Sequence, residues 1–253
     1  MGNPPAKLCA VVAGSSAWAP GVTTPEELEA WIAAPRALER DGHPQAKFLP
    51  AMLRRRCKPL TRIMLTAAYG CCTENELATV RTVFSSRHGS INESIGLLEA
   101  IAESKRVSAA TFAHTVHNAQ AGLFSIAAAN RQASSSLAGQ EASFPTGFLE
   151  ALTHLNRAPQ RKVLLVTGDV PLAETFASLI DEAQVSYGTG LLLASDGEGP
   201  GVSLALEPRT SADAPPSPTP WPAAFEFLRW LHSEEPDLTI PTQRTNWQFR
   251  RAD

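Results

Sequence analysis

Apolar residues in this chain come in short unbroken runs that alternate with stretches of helical spacing. Residues 6–13 and 162–167 are runs of the kind that form strands buried on both faces. Residues 77–85 are rich in β-branched side chains and read as a further strand. Between them Leu28, Trp31 and Ile32 recur on one helical face, as do Leu60, Ile63, Met64 and Ala67, then Ile95, Leu98 and Ile101, then Leu123, Phe124 and Ala127. The first of these helices has a clear start. Thr24 can cap it, Pro25 suits the first turn, and Glu26 and Glu27 complement the helix dipole. A helix over 92–104 is expected from Ser90 or Asn92 as cap. Residues 185–194 form a glycine-broken strand, expected to pair with 201–206 across the turn at 196–200.

This alternation predicts an α/β chain of layered architecture with a central mixed sheet. Residues 208–222 carry a run of prolines and read as an extended loop. A helix over 223–232 and a polar, basic tail follow. The organisation expected is therefore a main domain over 1–207, the proline-rich loop, and a C-terminal helix and tail over 223–253. At 253 residues and 43% apolar content the chain can bury a sizeable core. A net charge of -3, with no basic stripe, points away from nucleic acid. The apolar runs are too short for a bilayer, and the first residues do not resemble a secretory leader. Four cysteines, the adjacent Cys71-Cys72 and the scattered Cys9 and Cys57, fit reduced thiols in the cytoplasm better than a metal set.

Candidate chemistry gathers around residues 134–152, SSSLAGQEASFPTGFLEAL. A small-residue strand runs through Gly139 into a helix, the shape that often holds a nucleophile at its bend. Here the bend holds Gln140-Glu141-Ala142. Other readings remain open at this level. His114 and His117 are spaced to share a face. Ser143, His117 and Asp169 supply the residue types of a hydrolase triad. Cys71 or Cys72 offers a thiol, and Arg54-Arg55-Arg56 with Lys58 offers contact to an acidic group or phosphate.

Three stretches carry a family resemblance. His117-Asn118-Ala119-Gln120-Ala121-Gly122 resembles the segment before the nucleophile strand of β-ketoacyl synthases. Residues 164–169 and 187–193 resemble two later strands of the N-terminal half of that thiolase-like fold. Counting on from Gly122 brings the family's cysteine position, within a Thr-Ala-Cys-Ser-Ser motif, to Glu141. A carboxylate there would form an unstable mixed anhydride instead of a thioester. The second half that supplies two histidines and a lysine in active members is not matched. The resemblance is strongest to chain length factors, silent relatives that pair with an active synthase. Several of these carry glutamine at the cysteine position in a Glu-Gln-Ala run. Short members occur in aryl polyene and xanthomonadin-type pathways.

The resemblance implies a non-catalytic subunit without cofactor or metal. Its pseudo-active site would be Glu141 with Gln140 and His117 nearby. Glu141 would accept backbone N–H groups at the following helix start, or assist decarboxylation if burial raises its pKa. Phe112, Phe124, Phe144 and Phe148 would wall a channel for an acyl or polyene chain. Residues 112–148 would lie at or near the contact with an active β-ketoacyl synthase, with an acyl carrier protein as a further partner. The enzyme alternative is an acyltransferase, thioesterase or decarboxylase acting on carrier-protein thioesters.

Overall fold

The computed structural model describes residues 8–210 and 219–252. Its eight strands are β1 (Cys9–Trp18), β2 (Arg81–Ser85), β3 (Ser134–Leu137), β4 (Val163–Asp169), β5 (Tyr187–Ala194), β6 (Gly201–Pro208), β7 (Asp237–Pro241) and β8 (Thr245–Ala252). The helices are α1 (Pro25–Ala33), α2 (Ala51–Arg56), α3 (Pro59–Gly70), α4 (Glu74–Thr79), α5 (Ile91–Ala102), α6 (Ala109–Phe112), α7 (Ala119–Ala127), α8 (Ser143–Arg157) and α9 (Ala223–Leu231), with a 3-10 turn at Glu174–Leu179. The strands form one sheet in the order β3-β2-β4-β5-β1-β6-β8-β7. β2 runs parallel to β3 and β4, and the remaining pairs are antiparallel. The sheet is mixed and layered, as the pattern predicted.

Period-two alternation along the central strands feeds two cores. Val163 and Leu165 of β4 with Leu191 and Leu193 of β5 meet Phe148 and Leu152 of α8 and Phe227 of α9 on one face. Leu164, Val166 and Leu192 meet Met64 and Leu65 of α3 and Phe124 of α7 on the other. Each such side chain contributes on the order of 1.5–3 kcal/mol when fully buried. The glycines of the Tyr187-Gly188-Thr189-Gly190 stretch have a packing cause. A Cβ on Gly190 would lie 2.5 Å from the Ala67 carbonyl oxygen, and one on Gly188 would lie 2.7 Å from Ile63. The backbone of α3 therefore rests directly on β5.

Several expectations need correction. Residues 77–85 are not one strand. α4 fills 74–79, started by a capping box in which Thr73 and Glu76 satisfy each other's backbone N–H groups. The same device starts α1 from Thr24 and Glu27; the Thr24 cap was expected, and the reciprocal bond from Glu27 is added by the structure. The 201–206 strand does not pair with the 187–194 strand, because β1 lies between them. The short helix α6 lies between α5 and α7, capped by Ser108. The C-terminal tail is a β-hairpin, β7–β8, joined to β6, with Trp247 and Phe249 facing the core. Most of the proline-rich loop, 211–218, lies outside the described residues.

Candidate functional site

The strand-to-helix bend exists where the sequence placed it. β3 ends at Leu137 and α8 begins at Ser143. At the apex Gln140 has φ of 55°, in the left-handed region. A residue with a side chain is held there at a cost of about 1–2 kcal/mol. The bend is pinned from below. The Gly139 N–H donates to Ser143 Oγ at 3.0 Å, whose hydroxyl donates to the Gln140 carbonyl at 2.7 Å. Ser85 at the end of β2 donates to the Ser143 carbonyl at 2.6 Å. Gly139 fits tightly, since a Cβ on it would stand 2.8 Å from Thr146 Oγ1 and 3.1 Å from the Ala142 carbonyl oxygen.

The strained residue is thus Gln140, one position before the residue to which counting brought the family's cysteine. Its side chain is exposed, while Glu141 is half-buried. Glu141 Oε1 accepts a hydrogen bond from the Gln243 backbone N–H at 3.1 Å, in the turn of the β7–β8 hairpin. The expected bonds from the start of α8 are replaced by this tie to the C-terminal hairpin. Whichever of the two is matched to the cysteine, neither carries sulfur.

A cavity of about 580 Å³ opens beside the bend. Gln140, Glu141 and Phe144 form one wall, Thr239–Gln243 a second, and Trp221–Ala223 a third. The segment after β4, from Asp181 to Val185, and the loop after β2, Arg87 and His88, close the far side. Asp169 organises that side from the end of β4. It accepts from Ser86 Oγ at 2.6 Å and from the backbone N–H groups of Arg87 and His88, each at 3.0 Å. Burial pushes its pKa up, and these three donors pull the other way. Arg87 bridges Asp181 at 2.8 Å and Glu182 at 2.9 Å, and His88 also meets Glu182. Burial raises the Tyr187 hydroxyl well above its ordinary pKa, so it stays protonated beside Asp169.

These partners bear on several of the other readings. Ser143 is bonded to the bend and Asp169 to the loop after β2, so the Ser143, His117 and Asp169 triad is not assembled. His117, expected near Glu141, has its described neighbour elsewhere. It packs against Gly89, where a Cβ would stand 2.9 Å from its Nδ1, and it does not line the cavity. Burial, then Lys58 and Arg56, lower the pKa of His114. Hydrogen bonding to Cys72 and burial hold the Cys71 thiol well above its ordinary range, the reverse of a nucleophile, and neither cysteine lines the cavity. Among the described residues no cluster of three His, Cys, Asp or Glu is placed to hold a metal. Among the described residues no helix is long and apolar enough to cross a membrane. Of the four phenylalanines expected as channel wall, only Phe144 reaches the cavity. Phe124 and Phe148 are core, and Phe112 is on the surface. Sequence reasoning named Asp169 for a triad that is not assembled, and it did not name Arg87 and His88. They follow β2 just as Asp169 ends β4, and that parallel was the available signal.

A mixed sheet between helical layers, with a strained strand-to-helix bend above it, defines a thiolase-like scaffold. The chain belongs to the family of β-ketoacyl synthase N-terminal domains, whose model matches residues 28–250. No functionally curated protein sequence matches. Among solved structures, a ketosynthase (ApeO) in complex with its chain length factor (ApeC) from Xenorhabdus doucetiae is 26% identical with a TM-score of 0.77. The match takes in 97% of this chain and 100% of that one, so the two chains are nearly equal in length. The ishigamide ketosynthase/chain length factor is 18% identical, TM-score 0.62, over 80% of this chain and 68% of that one. A β-ketoacyl synthase from Burkholderia phymatum is 13% identical, TM-score 0.66, over 81% and 65%. These last two share the fold.

Proposed function

We propose that this chain is a non-catalytic chain length factor that pairs with an active β-ketoacyl synthase and bounds the space for a growing acyl or polyene chain. The observation that carries this reading is the bend itself. It is strained and pinned by hydrogen bonds as a nucleophile bend would be, yet Gln140 and Glu141 offer no thiol for acyl transfer. The nearly equal length and 26% identity to a chain from a ketosynthase–chain length factor complex support it further.

The surface supports it too. α5 has no fully buried residue. Leu98 and Ile101 on it, Phe112 on α6 and Ile126 on α7 are each about 60% exposed, an apolar display that a solitary domain rarely keeps. α5 packs against α6, and α7 packs against β3, which forms one edge of the sheet with a row of unpaired backbone groups. The partner would cover both, with an acyl carrier protein delivering substrate to the pair and aryl polyene assembly as the pathway context.

Co-expression with candidate ketosynthases followed by size-exclusion chromatography tests the reading. A stable complex of the two chains is the expected result, with self-association or poor solubility of this chain alone. Elution as a well-behaved monomer beside every ketosynthase tried would count against it.

A further inference from the structure

The cavity beside the bend has a one-sided charge. Five carboxyl side chains line it, those of Glu141, Asp169, Asp181, Glu182 and Glu226, against Arg87 and His88. Arg87 is already committed to Asp181 and Glu182, and His88 to Glu182. Glu226 is paired with Arg229 at 2.7 Å and receives the Trp221 indole N–H at 2.5 Å. Glu141 has only the Gln243 N–H as its partner among the described residues. Among the described residues no lining cation is left to meet an acid group on a ligand.

The rest of the wall is apolar or aromatic. Phe144, Tyr187 and Trp221 face the same space as Val170, Val185 and Ile240. Its volume is within the range of small-ligand sites, which are mostly apolar with a few oriented polar groups. The exposed Gln140 amide supplies a neutral donor and acceptor at one end.

We infer that this cavity is a ligand site selective for uncharged, elongated or aromatic chains, and that it rejects carboxylates, the malonyl group included. The inference deepens the chain length reading and rests on it for its biological meaning. It names what the site accepts, an uncharged chain end, and disfavours a malonyl group, whose carboxylate would face the acid side chains of the wall.

Displacement of Nile red, a neutral fluorophore, from the purified chain or its synthase complex is the test. Dodecanol should displace it, and dodecanoate should do so at least about tenfold more weakly, equivalent to about 1.4 kcal/mol. Glu141→Lys places a cation at the wall and should narrow that gap by strengthening dodecanoate alone. Ala223→Trp fills the cavity and should abolish the dodecanol-displaceable signal. Equal competition by the two ligands, no binding of the probe, or an unchanged signal in Ala223→Trp would overturn the inference. Size-exclusion chromatography of the same samples reports partner binding separately. Loss of the partner with charge selection intact would fault the subunit reading and leave this one standing.

Discussion

Gln140 sits in a backbone conformation that glycine adopts freely and other residues resist. Strain of this kind persists where the surroundings over-determine it, here through Ser143 and Ser85. Gln140→Gly should therefore raise stability by up to about 1 kcal/mol in denaturant melts, and a loss would show that the side chain carries more than the backbone strain costs. Gln140→Cys should restore a thiol at the apex yet gain no stable acyl adduct from an acylated carrier protein, as read by intact mass. At this scale the bend was legible, because a small-residue strand, Gly139 and a helical pattern can hardly be joined otherwise. The register was not, since counting from Gly122 carries no φ angle. The partner of Glu141 was illegible as well: Gln243 is 102 positions away.

Among the elements, α8 and α5 make the instructive contrast. Both are amphipathic, but α8 buries its apolar face against the sheet while the α5 stripe faces out. Periodicity reports that a face is apolar and cannot say whether this chain or another covers it. Phe148→Ala, in the core, should cost about 3–5 kcal/mol, whereas Phe112→Ala should stay within about 0.5 kcal/mol in thermal or chemical melts. Leu98→Asp should likewise keep its fold but lose co-elution with the synthase. The hairpin β7–β8 shows an opposite failure: Trp247 and Phe249 alternate at strand spacing, but the arginines around them made the segment read as a tail. On α8, His154 joins side chains from two strands and from its own helix into one pH-sensitive point. Its Nδ1 accepts from Arg81 on β2 at 2.9 Å, and its Nε2 faces Glu150 at 3.2 Å and Ser135 on β3. Burial is the main cause of its lowered pKa, with Arg81 adding to it and Glu150 opposing. The folded state thus holds its proton less tightly than the unfolded chain. Its contribution is present above the ordinary value of 6.5 and is lost as pH falls through that value toward the lower folded one. Wild type should lose melting temperature on acidification through this window more steeply than His154→Gln, and parallel slopes would contradict the assignment.

Across the whole molecule, one sheet unites the segments that composition had separated. The elements on either side of the proline-rich stretch share β6 and β8 as neighbours, and α9 completes the same core as α8. The architecture was readable because buried strands and amphipathic helices alternate so plainly. The apolar face by α5 and α6, the open β3 edge and the thiol-free bend meet in one account: a scaffold that acts through a synthase partner. Intact-mass analysis of the reconstituted pair, after incubation with acyl-loaded carrier protein, tests that account most directly. The ketosynthase chain should gain the acyl mass while this chain stays unmodified. A stable acyl adduct on this chain would contradict it.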